Sequence, residues 1–310
     1  MNEIVDVIIP TYKRPEMLDK AIESIRNQSY QNIRITVVDD NDPESVWRQR
    51  TEDAMKKFDQ VKNIQYICHD RNKNGSAARN TGFMNTSGEF VCFLDDDDDF
   101  LPDKIRLQVE YLLSHKDMSA CYCDYIKNGI DIQLPDKTDF SYDILLGLPT
   151  PQTSGIMFRR EALKQLHGFD DSYYRHQDYE LLLRYYDNFQ MGKVDKVLYV
   201  RERSDIDNIP DGEKLKKLKE KFLAQFSYKI RNFENLEHGY KKKVFVHNYI
   251  QVFKSYLKQE EYLNSLKILW SCMKANPVLT INLLLKQYNV HKKFSDNKSA
   301  GENKLSKLRK

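Results

Sequence analysis

Apolar positions along the chain follow two rhythms. Ile4 to Ile9 is a run rich in β-branched residues that stops at Pro10, the pattern of a buried parallel strand entering a loop. Pro15 suits a first helical turn, and Leu18, Ala21, Ile22 and Ile25 then recur at helical spacing up to Gln28. Ile33 to Val38 predicts a second buried strand, ended by Asp39-Asp40-Asn41-Asp42-Pro43. The β-α-β unit repeats with a helix over 44–59, a strand at Ile64–Cys68, a helix from Ser76 to Met84 and a strand from Phe90 to Leu94. Past Pro102 the pattern predicts a helix to His115, strands at Ala120–Ile126 and Gly155–Phe158, helices at Glu161–Leu166 and Tyr179–Tyr186, and a closing strand at Val194–Val200. From Glu213 onward the period is helical throughout. Phe245, Tyr249, Val252, Phe253 and Tyr256 form one stripe, and Leu263, Leu266, Leu269, Trp270 and Met273 another.

Strands alternating with helices predict a doubly wound α/β domain, with helices on both faces of the sheet. Ligands of such sheets bind beyond the carboxyl ends of the strands. Three strands here run straight into polar loops, Thr11-Tyr12-Lys13, Asp39-Asp40 and Asp95 to Asp99, which are expected to converge on one cleft. The domains are read as 1–212 for the α/β part, 213–294 for a helical C-terminal domain, and 295–310 for a flexible basic tail.

A chain of 310 residues can bury cores for both parts. Net charge, only +3, hides an asymmetry: residues 1–212 carry 27 basic and 38 acidic side chains, residues 213–310 carry 22 and 8. An acidic front and a basic back suggest two kinds of partner. The dense lysines are Lys214, Lys216, Lys217, Lys219, Lys221 and Lys241-Lys242-Lys243. They suit an anionic membrane surface, an anionic acceptor, or plain solvation. No nucleic-acid motif accompanies them. The five cysteines, Cys68, Cys92, Cys121, Cys123 and Cys272, lack a C-x-x-C pair and read as reduced core residues. Residues 1–10 do not form a signal peptide and no run reaches the roughly 18 apolar residues of a membrane span. The expected location is the cytoplasm, with peripheral contact at the inner face of the plasma membrane through the basic region.

The chemistry concentrates in Asp95-Asp96-Asp97-Asp98-Asp99, between the apolar strand Phe90–Leu94 and Phe100-Leu101-Pro102. Carboxylates crowded at a strand end repel one another unless a cation neutralises them, and hard oxygen ligands select Mg²⁺ or Mn²⁺. Haloacid-dehalogenase phosphatases also place D-x-D after a strand, but they need Thr or Val two residues past the second Asp, where Asp99 stands, and they carry the motif on the first strand.

Four blocks, Val7-Ile8-Ile9-Pro10-Thr11-Tyr12, Val37-Val38-Asp39-Asp40, Asn74 to Gly82 (N-G-S-A-A-R-N-T-G) and Phe93 to Pro102, stand in the order and spacing of the family 2 glycosyltransferases. The resemblance covers roughly residues 4–205. It implies the GT-A fold, a mixed sheet flanked by helices with a C-terminal helical extension, and divides 1–212 into a nucleotide-binding half (1–101) and an acceptor-binding half (102–212). It implies an inverting, metal-dependent transfer of a sugar from a nucleotide-diphosphate donor, a UDP-sugar by preference, to a saccharide or lipid-linked saccharide in cell-surface or capsular polysaccharide synthesis. By the same resemblance Pro10, Thr11, Tyr12 and Asp39 hold the base, Arg79 lies near the donor, Asp95 faces the ribose with Asp96 beside it, and Asp97 ligates Mn²⁺ or Mg²⁺.

Gly168-Phe169-Asp170-Asp171 and Gln177-Asp178-Tyr179-Glu180-Leu181 resemble the family's G-F-D-E segment and base-bearing helix start, which makes Asp178 the general base. Gln177 replaces an acid common in relatives and is expected to affect acceptor contacts only. Arg201-Glu202-Arg203 stands where many relatives carry a His, so Arg201 and Arg203 are the candidate diphosphate contacts. His69 and His176 read as structural. The rival readings are a nucleotidyltransferase, which wants a glycine-rich loop after the first strand, and a non-catalytic scaffold of the same fold. The helical stripes predict a core or a homo-oligomer interface.

Overall fold

The computed structural model describes residues 2–201 and 211–285. In chain order the elements are β1 (Val5–Thr11), α1 (Pro15–Arg26), β2 (Ile33–Asp39), α2 (Val46–Met55), β3 (Ile64–Cys68), α3 (Asn74–Met84), β4 (Phe90–Phe93), β5 (Asp98–Phe100), α4 (Lys104–Ser114), β6 (Ala120–Lys127), β7 (Ile130–Ile132), α5 (Ser141–Leu146), β8 (Ile156–Arg159), α6 (Arg160–Gln165), α7 (Gln177–Tyr185), β9 (Met191–Arg201), α8 (Gly212–Gln225), α9 (Ser227–Leu236), α10 (Tyr240–Lys258) and α11 (Tyr262–Ala275). A last helix covers 277–285. These form two compact units. One contains residues 2–139 and 151–201, the other 140–150 and 211–285.

The first unit is built on one sheet of order β3-β2-β1-β4-β8-β6-β9-β5, with β7 paired to β6. β1 pairs in parallel with β2 and β4, and β2 with β3. β8 runs antiparallel between β4 and β6, so β6 regains the direction of β4, and β9 follows β6 in parallel. Thr11, Asp39, the residues after β4 and Arg201 therefore leave the sheet at the same edge. The neighbours of β1 also reverse in chain order there, the switch point where open α/β sheets bind ligands. Every residue of β4 is buried, as a central strand covered on both faces requires. α1 turns Leu18, Ala21, Ile22 and Ile25 inward, with Pro15 in its first turn.

Two stretches depart from the sequence reading. Asp98 and Asp99 belong to β5, antiparallel to β9, so the acidic run is not one loop. Residues 127–153, left without an element between the strands expected at Ala120–Ile126 and Gly155–Phe158, hold β7 and α5, and 140–150 group with the C-terminal helices. Cys92, Cys121, Cys123 and Cys272 are buried as expected, whereas Cys68 is exposed, a correction that follows from its place at the end of outer strand β3.

In the second unit Leu218, Phe222, Phe226, Tyr240, Val244 and Val252 make the core together with Leu145 and Leu146. Lys219 is buried there, donating to Asn248 Oδ1 at 2.9 Å, and Asn248 donates to Leu145 O at 2.8 Å. On the same helix Lys214, Lys216 and Lys217 pair with Asp211, Glu220 and Glu213. Much of the α8 lysine run is thus internal or locally paired. No described helix is long and apolar enough to cross a membrane.

Asp6 shows what the sheet demands of a buried charge. It is fully buried in β1 and accepts from Arg34 Nε at 2.8 Å, Arg160 at 2.6 Å and the Gly88 amide at 2.5 Å. Those three partners tie β2, α6 and the entry to β4 onto β1. Removing one member of such a set strands the others. Asp6→Ala is expected to lower unfolding stability by about 3–5 kcal/mol, to be measured by urea denaturation at neutral pH.

Candidate active site

At the carboxyl edge the chain leaves β4 through a turn in which the Asp98 amide donates to Asp95 O at 2.9 Å, so Asp95, Asp96 and Asp97 crowd a tight bend. Each is balanced differently. Asp95, half-buried, meets Arg79 with Nη2 to Oδ1 at 2.5 Å. Burial, the largest single influence, acts to raise its pKa, but the charge and hydrogen bond of Arg79 together with the charges of Arg14 and Arg201 leave the pKa lowered. Asp96 is buried and accepts from Thr11 Oγ1 at 2.8 Å. Desolvation, with repulsion from Asp97 and Asp95, pushes its carboxyl up to about 7 despite Arg14. Arg14, at the entry to α1, bridges the turn by donating to Asp97 while its Nη1 lies 3.2 Å from Asp96 Oδ1. The last two carboxylates turn away into β5. Asp99 pairs with Lys20 at 2.7 Å, and buried Asp98 faces Arg201 in the β5–β9 register, its pKa raised well above normal by burial and by Asp95.

Arg79 links the two halves of the unit. From α3 it holds Asp95 on one side and donates to Gln177 Oε1 at 2.7 Å on the other, with its guanidinium 5.5 Å over the Phe169 ring. Gln177 therefore positions Arg79, a role that its reading as an acceptor contact alone missed. Asn80, next on the helix, clasps the G-F-D-D loop: its Nδ2 donates to Phe169 O (2.8 Å) and Asp171 Oδ1 (2.7 Å), and its Oδ1 accepts from the Phe169 amide (2.8 Å). Gly168 sits at φ +71°, where a Cβ would stand 2.3 Å from Asn80 Oδ1, so both the backbone and the clasp require glycine. Gly82 in the same block lets α3 lie on β1, since a Cβ there would meet Ile8 at 2.4 Å.

Asp178 opens α7 and accepts from the Tyr179 amide at 3.0 Å. Burial raises its pKa, and the charges that act on it are Arg79, Asp95 and Arg201, so the acidic turn, α3, α7 and the end of β9 meet electrostatically at one place. Burial acts to lower the pKa of Arg201, but Asp98, Tyr199, Tyr125 and Asp95 together leave it raised. His176, two residues before Asp178 and just ahead of α7, holds a left-handed backbone at φ +64°, an uncommon state for a non-glycine residue near a candidate base. Ser154, from the turn that enters antiparallel β8, reaches the same edge and accepts from the Asp95 amide at 3.2 Å.

Pro10 and Thr11 close β1, with half-buried Tyr12 beyond them. Asp39 is fully buried and already engaged. Oδ1 accepts from the Asn41 amide and Nδ2, both at 2.8 Å, while Oδ2 accepts from Tyr66 Oη at 2.5 Å and faces Arg48 Nε at 3.0 Å. A base could reach this carboxylate only by displacing one of those partners. His69 is structural, bridging Asp40 Oδ1 (2.7 Å) and Thr81 Oγ1 (2.8 Å). Arg203 lies outside the described residues, as does the tail at 295–310. No three His, Cys, Asp or Glu side chains close a metal cage among the described residues.

Residues 6–167, just over half of the chain, match the family described as Glycosyl transferase family 2. Among relatives, the amylovoran biosynthesis glycosyltransferase AmsB of Erwinia amylovora is 29% identical over 197 residues, covering 57% of this chain and 62% of that protein. The GalNAc(5)-diNAcBac-PP-undecaprenol beta-1,3-glucosyltransferase of Campylobacter jejuni is 38% identical over 97 residues, 31% of this chain and 30% of that one. The chain thus spans less than two thirds of either relative. Among solved structures, S. aureus TarS 1-349 in complex with UDP-GlcNAc superposes with a TM-score of 0.59 at 17% identity, covering 80% of this chain and 81% of that one. The mannosyltransferase PcManGT of Pyrobaculum calidifontis in complex with GDP-Man and Mn²⁺ gives 0.58 at 16%, covering 99% and 87%. At such identities the structural likeness speaks to the fold.

The Asn80 clasp yields a direct test. Asn80→Ala removes all three bonds to the 169–171 loop and is expected to cost about 2–3 kcal/mol of stability. Limited proteolysis should then cut within 168–178 at a rate that exceeds wild type by far more than global unfolding explains.

Proposed function

The chain belongs to glycosyl transferase family 2 and has the GT-A fold, and from that premise we propose that it transfers a sugar with inversion from a nucleotide-diphosphate donor to an acceptor hydroxyl. The donor in this reading is a UDP-sugar. The acceptor is a saccharide or lipid-linked saccharide in synthesis of a cell-surface polysaccharide or glycoconjugate. The observation that carries the proposal is the meeting of the acidic turn Asp95–Asp97, Arg79 and the raised-pKa carboxylate Asp178 at one sheet edge.

The roles follow from the charges. The turn repels anions as it stands, so a diphosphate needs a cation there. The donor set fits Mg²⁺ or Mn²⁺: hard carboxylate oxygens, crowded enough that Asp96 is pushed to about 7 and that Arg14 is drawn in as counter-charge. Asp97 would hold the ion in competition with Arg14. A bound ion would supply Lewis-acid stabilisation of the departing nucleoside diphosphate. Arg201, and Arg203 beside it in sequence, supply guanidinium donors for the same phosphates. Thr11 fixes Asp96, and Arg79 orients Asp95 toward the ribose. Pro10, Thr11 and Tyr12 border the base, and Asp39 joins them by exchanging its Tyr66 or Asn41 bond for a base N–H.

Asp178 takes the acceptor proton as the hydroxyl oxygen attacks the anomeric carbon from the face opposite the leaving phosphate. Its raised pKa makes it a stronger base than an ordinary surface carboxylate. The helix N-terminus, through the Tyr179 amide, keeps it oriented.

Two outcomes test this. Calorimetric titration of UDP, GDP and dTDP with and without Mn²⁺ should show metal-dependent binding of UDP that Asp97→Asn abolishes. If no nucleotide binds under either condition, the donor site is refuted. Asp178→Asn should lower kcat by roughly 10²–10⁴ while leaving UDP binding intact. Activity depends on the deprotonated carboxylate, so in wild type kcat/KM should fall on acidification through a pKa above the ordinary aspartate value, a limb that the Asn variant lacks.

A further inference from the structure

The last two described helices are packed inside out. α11 buries only Ser265 and Cys272, with Ser265 Oγ donating to Phe253 O at 3.3 Å, while Leu263, Leu266 and Trp270 are 77%, 60% and 60% exposed. The helix at 277–285 repeats the inversion. Thr280 is its fully buried residue, its hydroxyl donating to Asn276 O at 2.8 Å, whereas Val278, Ile281 and Leu285 face outward at i, i+3 and i+7. On α11 the exposed side chains, with Leu269 and Met273, line an open apolar hollow of about 660 Å³. The stripe read from sequence as core or oligomer interface is thus left uncovered on its helix. A contiguous apolar face of this kind marks a docking surface.

The charge pattern selects the occupant. Between Glu261 and Asp296 the chain has no acidic residue, and its charged side chains there are Lys267, Lys274, Lys286, Lys292 and Lys293, besides one histidine. Lys267 lines the hollow, and Lys274 Nζ lies 3.4 Å from the centroid of the Trp270 ring. A second copy seated on the hollow would oppose lysine to lysine, since its described lining carries Lys267 and no acid. Anionic headgroups above acyl chains answer both needs: tryptophan settles at headgroup level, leucine and isoleucine reach the acyl boundary, and lysine stems extend back to the phosphates. We propose that the outward face of α11 and of 277–285 docks on an anionic lipid bilayer. The contact lies on these helices, and not on the largely paired or buried lysines of α8.

The chain has two tryptophans, so Trp47→Phe leaves Trp270 as sole reporter. Vesicles of equimolar phosphatidylglycerol and phosphatidylcholine should shift its emission to the blue, and brominated acyl chains should quench it; phosphatidylcholine alone should do neither. Leu266→Glu with Trp270→Glu, in an otherwise unchanged chain, should reduce co-sedimentation with the anionic vesicles by roughly tenfold or more. Lys267→Glu and Lys274→Glu should each weaken it roughly fivefold or more while sparing the apolar stripe. An emission spectrum indifferent to anionic vesicles, or equal co-sedimentation of wild type and the Leu266/Trp270 variant, overturns the proposal. A dimer in sedimentation equilibrium that the same two substitutions dissociate, without vesicle binding, assigns the face to a second copy. Nucleotide titration is independent of every one of these readouts, so failure here leaves the sugar-transfer reading untouched.

Discussion

The α/β unit is organised around an electrostatic difficulty. Four carboxylates, Asp95 to Asp98, leave a strand buried on both faces, and such groups cannot all stay ionised without compensation. Compensation comes from three separate elements: Arg14 before α1, Arg79 on α3 and Arg201 at the end of β9. Bringing them to one point needs the parallel order of β1, β2 and β4, and then the antiparallel β8 that restores strand direction for β6 and β9. The topology can be read as the bracket that holds these guanidinium groups against the acids. Asp97, held by Arg14 on the rim of the bend, is where an added cation changes the balance most.

α3 makes the second connection. Consecutive residues divide the labour: Arg79 reaches the acidic turn and Gln177, while Asn80 holds the loop that leads to α7. A candidate base on α7 and a candidate donor site after β4 are thereby referred to the same helix. Neither a loop of free length nor a hinge between them would keep a proton acceptor and a leaving group in register, since near-attack geometry tolerates little displacement.

The parallel half of the sheet was legible because its signals are local: a β-branched run, a proline, a helical period and a polar loop recur within a few residues. β5 was not, since two aspartates and a phenylalanine carry no apolar rhythm and become a strand only through β9. Gln177 illustrates a different blindness. Its partner Arg79 lies 98 residues away, and no spacing rule links a glutamine to an arginine at that distance. The enclosure of Asp39 by Arg48 and Tyr66 was invisible for the same reason. On α11 the period was read correctly, and of the two readings of its stripe the exposure of Leu263, Leu266 and Trp270 removes the core within this chain. Periodicity establishes that a helix has an apolar face; whether the protein itself covers that face depends on neighbours that the helix does not encode.

The pairing of β5 with β9 has a consequence for the order in which the chain acquires its shape. Asp95 to Asp97 are bounded by β4, which joins β1 early in the sequence, and by β5, whose only strand partner among the described residues is Met191–Arg201. During synthesis the acidic bend therefore emerges with one arm anchored and the other waiting for about a hundred further residues. Contacts so distant in sequence form late, because loop closure must precede them. The bend settles into its final shape only when the last strand of the sheet arrives, and a nascent chain that stops short of it carries the acids without the geometry.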